Sequence, residues 1–184
     1  MLYFISGASR SGKTILAKEF ATQKGIPYLS LDWIVMGFTN GIPEYGLHDL
    51  LMPAEIAERG WNFIKAMCES MLWLGEDCVI EGEALLPHLF IELRDKHPDQ
   101  IKICFLGFTE VDPVQKAQDI KTYSTGKNDW MSDKEDDYIL DHVKNMIGHS
   151  LQIKAACEAH EMAYFDTSKE FQLVLKKANQ FLLP

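Results

Sequence analysis

The sequence contains few cysteines and no long apolar run. Its four cysteines are scattered without a Cys-x-x-Cys pair, so neither a zinc cage nor a disulfide framework is indicated. No apolar stretch approaches the roughly 18 residues that a membrane-spanning helix needs. Residues 1–6 include no basic residue, and their apolar stretch is much shorter than that of a signal peptide. These absences predict a cytoplasmic protein without a membrane-spanning segment.

Basic residues are scarce as well. The 184 residues include 18 lysines and arginines against 27 aspartates and glutamates, which gives a formal net charge of −9. Proteins that bind duplex nucleic acid usually present a basic face, because neutralisation of phosphates supplies most of their affinity. The charge balance therefore argues against a nucleic-acid partner. Only three of the cations are arginines, at positions 10, 59 and 94.

The remaining composition is typical of a globular protein. Hydrophobic residues make up 47% of the chain and charged residues 24%, enough to bury a core within one domain spanning residues 1–184. Short apolar runs alternate with longer segments of helical periodicity, which predicts βαβ units around a parallel sheet. The predicted strands cover residues 2–5, 28–31, 78–80, 101–108 and 163–165.

Two connections between these elements carry further signals. Residues 37–53 contain several glycines and prolines and no clean periodicity, which predicts a long irregular connection of the kind that often has a function. Residues 132–135 read Ser-Asp-Lys-Glu, a capping box that predicts the start of a long helix ending near His160.

The most specific motif lies directly after the first predicted strand. Residues 7–14 fit G-x-x-x-x-G-K-[ST], the phosphate-binding P-loop or Walker A motif, and they open an amphipathic helix as this motif requires. Its residues are the predicted nucleotide-binding set: Gly7, Ala8, Ser9, Arg10, Ser11, Gly12, Lys13 and Thr14.

Each fixed position of the motif has a chemical reason. Gly7 and Gly12 permit backbone angles and a close approach that a Cβ would obstruct. Backbone N–H groups of the loop, together with the positive end of the following helix, can hold the phosphates. Lys13 places a charge on the β- and γ-phosphates, and the Thr14 hydroxyl is a ligand for Mg²⁺. The motif therefore predicts ATP and Mg²⁺ as cofactors.

Two acids follow other predicted strands. Asp32 is expected to end the second strand and Glu81 the third. Because the carboxyl ends of parallel strands meet at one edge of a sheet, both should converge with Gly7. Phosphoryl transfer needs a group that holds the metal and a group that orients the acceptor. A helix cap is the competing interpretation for Asp32, and a structural hydrogen-bond acceptor is the one for Glu81. Glu83 is a weaker candidate.

These motifs resemble the P-loop kinases of small molecules, which include nucleoside monophosphate, shikimate and gluconate kinases. The resemblance implies a three-layer α/β/α P-loop NTPase fold with a five-stranded parallel sheet in the order 2-3-1-4-5. It also implies transfer of the γ-phosphoryl group of ATP to a hydroxyl of a small-molecule acceptor. The acceptor would bind within about residues 33–75, and a lid would lie within about residues 114–131.

The resemblance also assigns roles to single residues. Lys13, Asp32 and Glu81 would be catalytic. Asp32 matches the acid that holds the acceptor hydroxyl or the metal's water, and Glu81 matches the Walker B acid. Thr14 and Glu81 would hold the metal, and residues 166–169 would border the base.

The chain departs from these kinases in its lid. Such lids usually supply arginines that neutralise the transferring phosphoryl group, whereas residues 114–131 offer only Lys116, Lys121 and Lys127. Lysine is a point charge without the bidentate fork of arginine. Either these lysines substitute, or Arg10 does part of that work, or turnover is slow. With so few arginines, a neutral or singly charged acceptor is favoured over a nucleoside monophosphate.

Other functions are less well supported or stay open. A GTPase switch is disfavoured, because no Asn-Lys-x-Asp motif follows the fourth predicted strand. A nucleotide-binding regulator, or a toxin-like kinase with a macromolecular partner, is an open alternative. The sequence leaves open the identity of the acceptor, the choice between ATP and GTP, and the oligomeric state.

Overall fold

The computed structural model describes residues 1–123, 131 and 134–183. Five parallel strands form one sheet in the order β2-β3-β1-β4-β5, so the predicted strand order is confirmed. The strands are β1 (Leu2–Gly7), β2 (Tyr28–Ser30), β3 (Cys78–Glu81), β4 (Ile101–Gly107) and β5 (Ala163–Asp166).

Helices connect the strands and flank the sheet on both sides. They are α1 (Lys13–Lys24), α2 (Leu31–Gly41), α3 (Pro53–Leu74), α4 (Phe90–Lys96), α5 (Pro113–Tyr123), α6 (Asp136–Ala159) and α7 (Phe171–Leu182). Short 3₁₀ turns precede α3 and α4, at Pro43–Tyr45 and Pro87–Leu89. Within the described part of the chain, no helix combines the length and the apolar character needed to cross a bilayer.

Both faces of the sheet are buried, which explains the continuous apolar runs of its central strands. In β1, Leu2 and Phe4 belong to one core cluster, whereas Tyr3 and Ile5 belong to the other, because successive side chains of a strand point to opposite faces. Helices α3, α4 and α6 contribute to the first cluster, and α1 and α7 contribute to the second. The result is a three-layer α/β/α arrangement.

A smaller apolar cluster lies beyond the carboxyl end of β4. Ile120 of α5 packs there with Ile139 and Val143 of α6 and with Phe108. This cluster joins the first half of the predicted lid segment to the long helix α6.

The strand register brings the predicted site residues to one edge of the sheet. Glu81 at the end of β3 is paired with Ile5 on one side and with Ser30 on the other. Gly7 at the end of β1 is paired with Leu106 of β4. The loop of residues 7–14, which is predicted to bind phosphate, therefore begins beside the carboxyl ends of β3 and β4.

The second strand was expected to include Leu31 and to end at Asp32, and both expectations were wrong. The strand ends at Ser30, so Asp32 lies in the first turn of α2 and does not end β2. An acidic side chain in the first turn is favourable because the helix dipole places positive partial charge there. The carboxylate still lies at the carboxyl edge of the sheet, since α2 begins directly after the strand.

The stretch that was expected to be irregular from residue 37 onward is partly helical. Helix α2 continues to Gly41 because Leu31, Val35 and Phe38 are spaced to bury one face. Burial of that face outweighs the penalty of about 1 kcal/mol for Gly37 in a helix. Only residues 42–52 form a connection, and they include the 3₁₀ turn.

The long helix begins later than the capping box indicated. Helix α6 starts at Asp136, and Glu135 is its N-cap residue. Ser132 and Asp133 of the predicted capping box lie outside the described residues, as does Lys127 of the predicted lid.

Candidate active site

The loop between β1 and α1 needs glycine at both of its fixed positions. Gly7 has a φ of 135° and Gly12 has a φ of 96°, values that residues with a side chain rarely adopt. A Cβ on Gly7 would lie 1.8 Å from the carbonyl oxygen of Leu106, and one on Gly12 would lie 2.7 Å from the ring of Phe171. Arg10 adopts a left-handed conformation as well, with a φ of 59°. The loop therefore turns tightly against β4 and α7.

We expect Gly7→Ala to destabilise the protein severely. The clash is with backbone, which cannot move aside as the end of a flexible side chain can, so the free energy of unfolding should fall by at least about 3 kcal/mol. Chemical denaturation measures this change. Gly37→Ala is the matched control, because a Cβ there meets nothing within 4 Å and replaces a helical glycine, which should raise stability by up to about 1 kcal/mol. Equal effects of the two substitutions would contradict this description of the loop.

The loop and the start of α1 offer hydrogen-bond donors that protein groups do not use. The first N–H groups of a helix have no acceptors within the helix. Among the described residues, helix α1 has no side-chain cap and no acidic residue in its first turn that could accept from them. The Ser11 hydroxyl is buried and has no hydrogen-bond partner in the described part of the chain. Buried polar groups are normally paired. These donors fit a phosphate group held at the helix N-terminus.

Lys13 is the cation of this loop. Its side chain is buried, and Nζ donates a hydrogen bond to the carbonyl oxygen of Ala8, 3.3 Å away. The ammonium group therefore folds back along the inner side of the loop. The positive charge of Lys13 also acts on the Glu83 carboxylate.

Thr14, Glu81 and Tyr28 form a hydrogen-bonded chain at the edge of the sheet. The Thr14 hydroxyl donates to Glu81 Oε1 over 3.1 Å, and the Tyr28 hydroxyl donates to Glu81 Oε2 over 2.9 Å. Burial raises the pKa of Tyr28, and the charge of Glu81 raises it further, so Tyr28 stays a donor at neutral pH. The structure thus brings together the two residues predicted to hold the metal, and it adds Tyr28, which sequence reasoning missed.

This pair of oxygen donors suits Mg²⁺ bound together with a nucleotide. Mg²⁺ usually takes only one or two protein oxygen ligands and completes its shell with waters and phosphate oxygens. Among residues 1–123, 131 and 134–183, no three His, Cys, Asp or Glu side chains are grouped to hold a metal ion by themselves. Thr14 and Glu81 therefore fit a metal that arrives with phosphates.

Asp32 lies apart from this chain of contacts. Its side chain is exposed in the first turn of α2, and it has no hydrogen-bond or ion-pair partner among the described residues. It is close enough to Tyr28 for its charge to affect the pKa of the phenol. Asp32 and Glu81 therefore do not contact each other directly. Tyr28 is hydrogen-bonded to Glu81 and is close enough to Asp32 to be affected by its charge.

Glu83 has a more central position than its sequence context indicated. Its Oε1 accepts hydrogen bonds from the backbone N–H of Ser9 in the loop and from Nδ1 of His149 in α6, each over 3.2 Å. Burial acts to raise the pKa of Glu83, but the hydrogen bond from His149 and the charge of Lys13 outweigh it and leave the pKa below its usual value. Glu83 is thus an ionised carboxylate that ties α6 to the phosphate-binding loop.

One of the lid lysines reaches the loop. Lys116 of α5 places Nζ 3.4 Å from the carbonyl oxygen of Arg10 and 4.5 Å from the centre of the Phe108 ring. Burial lowers the pKa of Lys116, and the charge of Arg10 acts in the same direction. Lys121 instead forms an ion pair with Asp136 at the start of α6.

Arg59 and Arg94, the two arginines besides Arg10, contact residues outside the loop. Arg59 donates to the carbonyl oxygen of Gly46 over 2.9 Å and pairs with Glu55 at 3.7 Å. Arg94 donates to the carbonyl oxygen of His160 over 2.8 Å.

Residues after β5 contact the far side of the loop. The Thr167 hydroxyl is buried and lies 3.3 Å from the carbonyl oxygen of Ser11 and 3.0 Å from that of Gly107. Burial acts to raise the pKa of Asp166, but hydrogen bonds from Ser168 and Thr109 lower it overall. This segment therefore fixes the connection between the loop and β4.

The fold is similar to that of solved structures of small-molecule kinases. A shikimate kinase from Bacteroides thetaiotaomicron has the same fold at 20% identity and a TM-score of 0.60, with 99% of this chain and 98% of that chain covered. A sugar kinase from a Janibacter species is 19% identical with a TM-score of 0.57, over 98% of this chain and 93% of the other. A gluconokinase from Sinorhizobium meliloti is 18% identical with a TM-score of 0.53, over 98% and 90%.

These likenesses concern the fold. No protein-family model matches the chain, and no curated protein sequence matches it either. The resemblance to P-loop small-molecule kinases is confirmed at the level of the fold, including its five-stranded sheet and strand order. The roles of single residues stay predictions.

Proposed function

We propose that this protein is an ATP-dependent phosphotransferase that moves the γ-phosphoryl group to a hydroxyl of a small-molecule acceptor. The observation that carries the proposal is the hydrogen bond between Thr14 and Glu81 directly beside the phosphate-binding loop. This contact supports the proposal, because a triphosphate on the loop would need side chains beside it that hold a metal ion. Neighbours in fold space that are named as kinases of small molecules support the same reaction class.

The loop residues would hold the nucleotide. Backbone N–H groups of residues 12–14 and the Ser11 hydroxyl would donate to phosphate oxygens, and Lys13 would turn from the Ala8 carbonyl toward the β- and γ-phosphates. Thr14 and Glu81 would hold Mg²⁺, which supplies charge neutralisation to the transferring group. Tyr28 would fix the orientation of the Glu81 carboxylate.

The acceptor would bind on the side of α2 and α3, within residues 33–75. Asp32 would accept a hydrogen bond from the acceptor hydroxyl and take its proton as the new oxygen–phosphorus bond forms. The bond between the γ-phosphorus and the oxygen bridging it to the β-phosphate would break, and ADP would leave. Lys116, a described residue of the lid, lies 3.4 Å from the Arg10 carbonyl oxygen of the loop, and it would supply positive charge in place of an arginine. The lid would span residues 114–131, of which the structure describes residues 114–123 and 131.

A coupled assay of ADP release tests this function. We expect Mg-ATP turnover by the wild-type chain to rise at least tenfold with one class of hydroxyl compound and to stay flat with the others. Lys13→Ala is the blank. A flat response from a chain that still binds nucleotide would contradict the proposal and favour a regulator or a kinase of a macromolecule.

The role of Asp32 is tested separately from nucleotide binding. We expect Asp32→Asn to keep the affinity for Mg-ADP and to lower transfer by about 10²-fold, because it removes a proton acceptor. The measurements are calorimetric titration with Mg-ADP and the rate of acceptor phosphorylation. Asp99→Asn, an exposed change before β4, is the control. If Asp32→Asn transferred at the wild-type rate, the role of Asp32 would be wrong.

The partner that follows from this function is a small molecule. The cytoplasmic location, the absence of a nucleic-acid partner and the single domain over residues 1–184 stay predictions from composition. The four cysteines are buried and unpaired.

A further inference from the structure

One peptide unit of the loop is held on both of its sides. The N–H of Ser9 donates to Oε1 of Glu83 over 3.2 Å. The carbonyl oxygen of Ala8 belongs to the same peptide unit, and it accepts a hydrogen bond from Lys13 Nζ over 3.3 Å. No cis peptide bond occurs in the described part of the chain, and in a trans peptide the N–H and the C=O point in opposite directions. The contact with Glu83 therefore fixes the direction of the Ala8 carbonyl, which is toward Lys13.

The same carbonyl also supports the turn of the loop. The backbone N–H of Ser11 donates to the Ala8 oxygen over 3.3 Å, so this oxygen accepts hydrogen bonds from two later residues of the loop. Arg10 lies just before Ser11 and has a left-handed backbone, which is unfavourable for a residue with a side chain. A rotation of the peptide between Ala8 and Ser9 would release Lys13 and Ser11 together.

Glu83 is itself fixed by its backbone and by its side chain. The N–H of Gly82, directly before it, donates to the carbonyl oxygen of Ile5 over 3.3 Å, and a Cβ on Gly82 would lie 2.7 Å from the Cβ of Leu31. Nδ1 of His149 donates to the same Oε1 that accepts from the loop. The Glu83 side chain is 25% exposed and that of His149 is 21% exposed, so water has limited access to this contact.

The residue after His149 anchors this part of α6 to the sheet. Ser150 is fully buried, and its hydroxyl oxygen accepts a hydrogen bond from the N–H of Phe108 over 3.1 Å. A Cβ on Gly107, the last residue of β4, would lie 2.9 Å from this hydroxyl oxygen, so the strand end and the helix are in close contact. A continuous set of contacts therefore runs from the end of β4 through His149 and Glu83 to the loop.

We infer that Glu83 is a positioning residue for Lys13 and that His149 positions Glu83. Their contacts fix the peptide between Ala8 and Ser9, so that its carbonyl holds the Lys13 ammonium group on the inner side of the loop before a nucleotide binds. A group that is already in place loses less freedom when a ligand binds. Nucleotide affinity should therefore depend on Glu83 through Lys13. This inference rests on the nucleotide site of the proposed function, and it names two residues that organise that site.

Two neutral substitutions of Glu83 separate its hydrogen bonds from its charge. Glu83→Gln keeps an oxygen that can accept from Ser9 and His149, whereas Glu83→Leu has none. Calorimetric titration measures the affinity of each variant for Mg-ADP, so that no turnover is needed. We expect Glu83→Gln to bind Mg-ADP about tenfold more tightly than Glu83→Leu. Because both variants lack the charge, their ratio contains no attraction or repulsion by the carboxylate.

The effect of His149 should depend on the presence of Glu83. His149→Leu should weaken Mg-ADP binding by about threefold in the wild-type chain and should have no further effect in Glu83→Leu, because residues that act through one another are not additive. Asn145→Ala, an exposed change one turn earlier in α6, is the control and should leave both affinities unchanged. A merely structural role of His149 would lower the unfolding temperature but leave the affinity unchanged when it is measured well below that temperature.

Equal affinities of Glu83→Gln and Glu83→Leu, or equal effects of His149→Leu in the two backgrounds, would overturn the inference. If Glu83→Leu does not stay folded during the titration, Glu83→Ala takes its place, since it lacks the same oxygen. The proposed function is judged separately, by phosphoryl transfer. A chain that shows these differences in Mg-ADP binding but transfers no phosphate would keep this inference and lose the proposed function. A wild-type chain that does not bind Mg-ADP would overturn both.

Discussion

Lys13→Ala is expected to remove nucleotide binding and to lower phosphoryl transfer by about 10³-fold. The Lys13 side chain is buried within the loop, and among the described residues it is held there by the Ala8 carbonyl and by the nearby charge of Glu83. Its ammonium group is therefore available to a ligand at the point where the loop donors converge. No other described lysine occupies the interior of the loop.

The stabilisation of the fold by nucleotide measures this directly. At a ligand concentration of about 100 times Kd, binding stabilises the folded state by about 2.7 kcal/mol. For a domain of this size, that corresponds to a rise of roughly 5–10 °C in unfolding temperature. We expect the wild-type chain to show this rise with Mg-ADP and Lys13→Ala to lose nearly all of it.

The control is a lysine of the same helix. Lys24 lies exposed in the last turn of α1, so Lys24→Ala should keep the full shift. The unfolding temperature without nucleotide shows whether either change disturbs the fold. A shift that is unchanged in Lys13→Ala would mean that the loop is not the nucleotide site.

Glu81→Gln is expected to separate metal binding from nucleotide binding. Glutamine keeps the shape of the side chain, and its amide can still make hydrogen bonds with Thr14 and Tyr28, so the fold should be retained. It removes the negative charge beside the Thr14 hydroxyl, and a magnesium ion gains most from ionised oxygen ligands. We expect transfer to fall by about 10³-fold, since metal-assisted charge neutralisation contributes several kcal/mol in such reactions.

Calorimetric titration with ADP, with and without Mg²⁺, isolates this effect. The wild-type chain should bind ADP more tightly when Mg²⁺ is present, and Glu81→Gln should show little difference. Glu76→Gln, an exposed change shortly before β3, is the control and should behave as the wild type does. If Glu81→Gln retained the wild-type response to Mg²⁺, the assignment of Glu81 as a metal-holding residue would be incorrect.

The central part of the fold was predictable because it depends on local patterns. The phosphate-binding loop is defined by eight consecutive residues, and the apolar runs of β1 and β4 reflect burial on both faces of the sheet. The strand order came from the resemblance to known kinases, not from the spacing of the residues. The local patterns and the strand order implied by the resemblance both agree with the structure, because one sheet covered by helices on each side is compatible with both.

The parts that were missed depend on tertiary contacts. Helix α2 contains Gly37 and Gly41, which read as turn signals, and the burial of Val35 and Phe38 against neighbouring elements overrides them. Its apolar residues at positions 31, 35 and 38 have helical spacing, and that signal was present in the sequence. As a consequence, Asp32 lies in the first turn of α2, whereas the sequence had predicted it at the end of β2.

The carboxylate–histidine contact had no comparable signal. Glu83 and His149 are 66 residues apart, and nothing in the spacing of the two side chains indicates that α6 passes over the loop. Tyr28 is similar, because its contact with Glu81 depends on the pairing of β2 with β3. Such contacts follow only from the three-dimensional arrangement of the sheet edge.

The most direct test of the central claim is to follow the γ-phosphate of labelled ATP. The wild-type chain is incubated with labelled Mg-ATP and hydroxyl compounds without negative charge, and the products are separated by mass. We predict that the label appears in a low-mass phosphate ester and that Lys13→Ala produces none. Label found only in inorganic phosphate, or only in protein or nucleic acid, would contradict a small-molecule phosphotransferase.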